Sequence, residues 1–335
     1  MRPVCRTFVA AGSVALLCVT AAAALAQGGP PPQVLPEGIR GGSEVVPEKG
    51  VEIRKYMFKE TGEELPYSVY VSSKIRKGKK APLVIALRGY TGTTLTIVRG
   101  TAVDLAEAGG YILVGALGYN NRAWFGMDPN SRGPGPARGA GPAPGPGAGP
   151  GAPGAPGAPG AAAGGRAGGP PGAGGPPGGG APRGQPPLVG GAELDAVKSS
   201  VYSEQDVMNV LKMVRREFKV DDKRIYIMGH SQGGGGARHL VEKYPDIWAG
   251  AALLAPALFG PPPTAGSPIT KVPLLLAVGD KDSLAASVKT FSEQLDALKV
   301  KHEYVLKPGL DHGTIIMGSM PEVFAFFPKH VKGKR

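Results

Sequence analysis

Short, unbroken apolar runs recur along this chain, and helical periods fill the gaps between them. Leu83–Leu87, Ile112–Ala116, Ile225–Met228, Ala251–Leu254 and Leu274–Val278 are almost wholly apolar. A strand that is apolar at every position is buried on both faces, as in a parallel sheet covered by helices. Val51–Lys59 and Tyr67–Ser72 are earlier strands, the second alternating, with Tyr67, Val69 and Val71 on one side. Tyr304–Leu306 closes the series. Between the runs, Val207, Val210, Leu211, Val214 and Phe218 recur at helical spacing. So do Ala237, Leu240, Val241 and Tyr244, and then Val288, Phe291, Leu295 and Leu298. Ser203 followed by Asp206 has the form of a capping box and predicts a helix starting there. The alternation predicts an α/β fold with a mostly parallel central sheet and helices on both faces. Open sheets of this kind carry their sites at the carboxyl ends of the strands.

Two stretches stand outside this pattern. Residues 133–187 contain 22 Gly, 16 Pro and 13 Ala, with only three Arg and one Gln besides. Such a segment cannot bury a core. It reads as a disordered insertion within one domain, because loop-closure entropy grows slowly with length. A Gly-Ala-Pro repeat at 151–160 is too short for a collagen helix. At the other extreme, residues 1–26 read as a secretory signal peptide. Arg2 and Arg6 lead, an uncharged apolar run follows from Phe8 to Leu25, and Ala24-Leu25-Ala26 is a small-x-small cleavage site. The expected organisation is a signal at 1–26, a flexible segment at 27–48, one folded domain built from 49–132 and 188–331, and the insertion between them. Export places the protein outside the cell or in the periplasm, with no stable membrane insertion after cleavage.

Both cysteines, Cys5 and Cys18, lie in the signal, so the mature chain offers no thiol for a disulfide, a nucleophile or a metal ligand. The histidines lack paired metal-ligand spacing, and neither metal nor organic cofactor is expected. The net charge is +12. Its basic residues form two modest clusters, Lys74, Arg76, Lys77, Lys79 and Lys80, and Lys329, Lys332, Lys334 and Arg335. Neither is interleaved with aromatic residues as base stacking requires, so they read as solvated surface and no nucleic-acid partner is expected.

The sharpest local signal is Arg224-Ile-Tyr-Ile-Met-Gly-His-Ser-Gln-Gly233, a strand, a Gly-x-Ser-x-Gly turn and a helix. A tight strand-to-helix turn crowds its flanks, so Gly229 and Gly233 must lack side chains, and it lifts the Ser231 hydroxyl above the sheet edge. The helix from Gln232 aims free N–H groups at the same point, where negative charge can develop. No Lys-Ser or Lys-Thr follows, which argues against a phosphate-binding loop. The motif Met228-Gly-His-Ser-Gln-Gly-Gly, supported by Val241-Glu-Lys-Tyr-Pro-Asp-Ile-Trp-Ala-Gly-Ala-Ala, resembles the α/β-hydrolases. The nearest types are secreted esterases of the polyhydroxybutyrate-depolymerase and feruloyl-esterase kind, with kinship to prolyl-oligopeptidase-like hydrolases.

That resemblance implies a nucleophile, an acid and a histidine in that order. It points to His312, in the loop Pro308-Gly-Leu-Asp-His-Gly313, rather than His302 or His330; His230 and His239 read as structural. The acid follows the strand Leu274–Val278, where Asp282 fits the spacing past Gly279 better than Asp280; Asp311 is too close in sequence to His312. By analogy the oxyanion hole takes backbone N–H groups from Gln232 and Tyr90. The loop Arg88-Gly89-Tyr90 departs from the His-Gly usual in the family. Tyr119, Trp124 and Phe125 are candidates to line the acyl or alcohol pocket, with core packing as the competing role. The implied activity is hydrolysis of small-molecule or polymer-attached carboxylic esters by Ser231, His312 and Asp282. A serine peptidase of related fold is the alternative, and a non-catalytic exported binding protein is the third reading.

Overall fold

A computed structural model describes residues 46–127 and 187–333. The expected signal, residues 27–45 of the expected flexible segment and the insertion apart from Pro187 lie outside the described residues. In chain order the elements are β1 (Val51–Phe58), β2 (Glu63–Val71), β3 (Ala81–Leu87), α1 (Gly100–Gly109), β4 (Ile112–Ala116), α2 (Ala196–Glu217) and β5 (Val220–His230). There follow α3 (Gln232–Lys243), β6 (Gly250–Leu254), β7 (Leu274–Gly279), α4 (Ala285–Ala297), β8 (His302–Lys307), α5 (Ile315–Gly318) and α6 (Met320–Phe326).

The eight strands form one sheet in the order β1-β2-β4-β3-β5-β6-β7-β8. β1 and β2 are antiparallel to their neighbours, and every pair from β4 onward is parallel. The unbroken apolar runs occupy the centre. Every residue of β3 is buried, and Leu83, Val84, Ile85 and Leu87 are wholly so. Burying each such side chain stabilises the fold by about 1.5–3 kcal/mol. Alternation along β5 assigns the two faces. Tyr226 stacks on Phe327, just past α6, with ring centroids 4.6 Å apart. Gly229, three residues on, faces Gly233 of α3. Helices α1, α5 and α6 pack together on the first side. On the second side α2 meets α3 through Glu204 and His239, and α3 meets α4 where Arg238 lies over Phe291.

The capping-box expectation at Ser203 does not hold. Helix α2 begins two turns earlier, capped by the Asp195 side chain, which accepts from the Lys198 N–H at 2.9 Å. Ser203 and Asp206 are interior residues of that helix, fully buried against the loop after β4. Ser203 Oγ accepts from the Phe125 N–H at 2.7 Å. The Asp206 carboxylate accepts from the Tyr56 hydroxyl and from the Gly118 and Tyr119 N–H groups at 2.6, 2.6 and 3.1 Å. Burial pushes its pKa up, and those bonds oppose the rise. Among the described residues, no helix is long and apolar enough to cross a membrane.

Candidate active site

Ser231 stands between the end of β5 and the start of α3, at φ +54° and ψ −116°. A non-glycine residue in that region is strained by about 1–3 kcal/mol and needs its surroundings to hold it there. They do so through the backbone: the Ser231 N–H donates to Leu254 O at 2.9 Å, and its carbonyl accepts from Gly235 and Ala257 N–H at 3.1 and 2.8 Å. A methyl on Gly229 would lie 2.1 Å from Gly233 O, and one on Gly233 would lie 2.3 Å from Arg88 O. Both glycines are there for the closeness of that passage.

His312 follows β8, and Asp282 follows β7, so all three side chains rise from one edge of the sheet. His312 Nε2 lies 2.9 Å from Ser231 Oγ, and its Nδ1 lies 2.7 Å from Asp282 Oδ2. A carboxylate only accepts, so Nδ1 carries the proton and Nε2 is left to accept from the serine. The Asp282 side chain is wholly buried, and its Oδ1 takes the Leu284 N–H at 2.9 Å. Gly279 lets the two loops meet, since a methyl there would lie 2.0 Å from Leu310 O. The competing acids have other work. Asp280 accepts from Gly309 N–H at 2.8 Å, and Asp311 accepts from Gly313 and Thr314 N–H at 3.0 and 2.8 Å.

Of the remaining histidines, His302 bonds to Ser292 Oγ and Val300 O at 2.8 and 3.0 Å, and His239 to Glu204 at 2.8 Å. His330 packs on Phe326. His230 touches the site. Its Nε2 donates to the His312 carbonyl at 2.6 Å, its ring lies 4.7 Å from that of His312, and burial, aided by His312, holds its pKa down at about 4. The ring is neutral and fixes the loop that carries His312. Nothing in its spacing distinguishes it from any other residue inside the turn.

Gln232 is the first residue of α3, and the leading N–H groups of a helix have no partner within it. Tyr90 follows Gly89, where a methyl would lie 3.5 Å from Ser231 Cβ and 2.9 Å from His230 Nδ1. The backbone at Gly89, one residue before Tyr90, thus passes close beside the serine. The Tyr90 and Trp124 rings, 6.4 Å apart, line one cleft of about 490 Å³ with Leu188, Leu194 and Asn120.

The other two pocket candidates do not line it. Tyr119 is wholly buried, its ring 5.4 Å from Phe58 and 5.5 Å from Tyr202, with its hydroxyl on Glu63 at 2.7 Å. Phe125 is wholly buried beneath the Arg88 guanidinium, 4.9 Å from the ring. Both are core residues, turned inward by left-handed backbone at φ +64° and +54°. Among the described residues, no group of three or more His, Cys, Asp or Glu side chains is disposed to hold a metal ion.

This architecture is the α/β-hydrolase fold. A family model described as "Serine aminopeptidase, S33" matches residues 194–271, the stretch from the start of α2 past β6. No curated protein matches the sequence. Among solved structures, a ferulic acid esterase is similar at 14% identity and TM-score 0.53, over 83% of this chain and 97% of that one. An S-formylglutathione hydrolase from Agrobacterium tumefaciens is similar at 14% identity and TM-score 0.52, over 84% and 95% of the two chains. A fluorophosphonate-binding serine hydrolase from Staphylococcus aureus is similar at 13% identity and TM-score 0.51, over 83% and 97%.

Proposed function

We infer that the protein is a serine hydrolase that cleaves carboxylic esters through an acyl-enzyme on Ser231. The observation that carries this reading is the unbroken chain of short hydrogen bonds from Ser231 Oγ through His312 to buried Asp282. His312 Nε2 takes the serine proton as Oγ attacks the ester carbonyl, and Asp282 stabilises the imidazolium that forms. The backbone N–H groups of Gln232 and Tyr90 receive the oxyanion. His312 then protonates the departing alcohol, activates a water, and returns the serine as the acid leaves. Trp124 and the Tyr90 ring line the cleft in which the substrate is held. The names of the structural relatives, a ferulic acid esterase, an S-formylglutathione hydrolase and a fluorophosphonate-binding serine hydrolase, support the same reading.

Ser231→Ala tested on a panel of short acyl esters should lower turnover by several orders of magnitude, as deletions within such a triad do. Wild-type turnover in that variant would overturn the reading. The second reading, a peptidase, is favoured by the description of the family model that matches residues 194–271. Rates on small peptides measured beside the ester panel separate the two, and esters are expected to be the faster class. The sequence pattern of residues 1–26 supports export of the mature enzyme. N-terminal sequencing of the protein recovered from periplasm or medium should begin at Gln27.

A further inference from the structure

We propose that Arg88 is a positioning residue that sets both backbone donors of the oxyanion hole at once. The proposal rests on the serine-hydrolase reading above. Arg88 follows β3 and is 1% exposed. A guanidinium has five N–H donors in a rigid fork, and here each has an acceptor. Nε donates to Leu117 O at 2.8 Å. Nη1 donates to Gly89 O at 3.1 Å and to Gln232 Oε1 at 2.7 Å. Nη2 donates to Asn120 O and, at 3.1 Å, to Ala123 O. No carboxylate is in the set. A cation buried among neutral acceptors is a costly way to stabilise a loop, so its geometry is the informative part. It draws together three segments: the loop after β3, the loop after β4 and the first residue of α3.

Nη1 is the decisive atom. It touches the carbonyl of Gly89, which shares a peptide unit with the Tyr90 N–H, and the side chain of Gln232, whose own N–H opens α3. A trans peptide is planar, with its C=O and N–H pointing opposite ways. Holding Gly89 O toward the guanidinium therefore turns the Tyr90 N–H away from it, and Gly92 N–H grips the same oxygen at 3.0 Å. The Gln232 side chain is tied at both ends, by Arg88 at Oε1 and to Arg122 O through Nε2 at 3.3 Å. One nitrogen thus sets the register between two donors that come from different strands. A lysine could not, because it offers a point charge without the planar fork. A histidine has at most two N–H groups for the five acceptors. Where the resembling esterases carry His, this chain uses the extra donors to make the loop after β4 part of the scaffold.

The test uses the full chain with Arg88→Lys and Arg88→Met, assayed on a short acyl ester and for inhibition by an alkyl boronic acid, which forms a tetrahedral adduct with a serine hydroxyl. We expect kcat to fall by on the order of 10²–10³, the loss seen when one preformed donor is removed. KM should stay within a few-fold, and boronate affinity should weaken in step with kcat. A purely structural role would lower the melting temperature and leave kcat and boronate affinity of the folded enzyme intact. Folded Arg88→Lys with wild-type kcat and boronate affinity overturns the proposal. Should both Arg88 variants fail to fold, Gln232→Met removes the acceptor while keeping the backbone N–H. It should cost roughly 10-fold in kcat, about one charge-assisted hydrogen bond, and wild-type values there overturn the proposal equally. If Ser231→Ala retains turnover, the hydrolase reading fails and takes this one with it. Ser231-dependent turnover that ignores Arg88 and Gln232 sinks this proposal alone.

Discussion

Ser231 holds a left-handed backbone that serine does not favour, and its neighbours fix it there by lacking side chains. Gly229→Ala would set a methyl against Gly233 O, a backbone atom that cannot swing aside. We expect a loss of several kcal/mol in a urea melt, at the severe end for a single substitution. Asp282→Asn keeps the shape of the site but presents an amide that can donate to Nδ1, which leaves the proton on Nε2, the wrong tautomer for a base. The expected fall in kcat is on the order of 10⁴, with little change in melting temperature. His230 gives a pH signature. It titrates near 6.5 in the unfolded chain and about 4 in the fold. As pH falls, the unfolded state takes up this proton first. The stability gained by keeping the ring neutral is therefore complete above pH 6.5 and is lost as pH drops toward 4, by roughly 3 kcal/mol. His230→Gln should flatten that part of the stability curve in denaturant melts across pH, and an unaltered slope would contradict the assignment.

At the scale of elements, the strands were legible because an unbroken aliphatic run such as Leu83–Leu87 has few other places to go. Helix α1 was not, since Gly100–Gly109 is rich in small residues and shows only a weak apolar period. The start of α2 was misplaced because Ser203 and Asp206 have the spacing of a cap while their partners lie in a loop some 80 residues upstream. Local pattern cannot see such partners. The same limit hid the direction of Tyr119 and Phe125, since an irregular loop with positive φ has no period to read. Ser231 stood out in the sequence through its turn and flanking glycines, whereas His312 and Asp282 were singled out only by what the family resemblance implied. Helix α2 acts as a spine for the loop after β4, and two of the side chains that anchor it there, Asp206 and Ser203, differ in weight. Asp206→Ala strands three donors and should lower the melting temperature much more than Ser203→Ala, which strands one. Equal losses would contradict that ranking.

For the whole molecule, the stretches on either side of 133–187 share one sheet through the pairing of β3 with β5, Leu83 opposite Ile225. Asn121 closes the base between them, bonding to Pro187 O and to both backbone groups of Val189 at 3.0–3.1 Å. We propose that a chain with 133–185 replaced by a short Gly-Ser linker melts in one transition near the wild-type temperature and keeps its esterase rate. A broadened or split transition would show that the segment belongs to the folded unit. The central claim is that Ser231 is the nucleophile, activated by a histidine from another loop. It is tested most directly by labelling with a fluorophosphonate and mapping the adduct by peptide mass spectrometry. One adduct per chain on Ser231, absent in Ser231→Ala and strongly slowed in His312→Ala, is the predicted result; labelling that persists in Ser231→Ala, or is indifferent to His312, would contradict it.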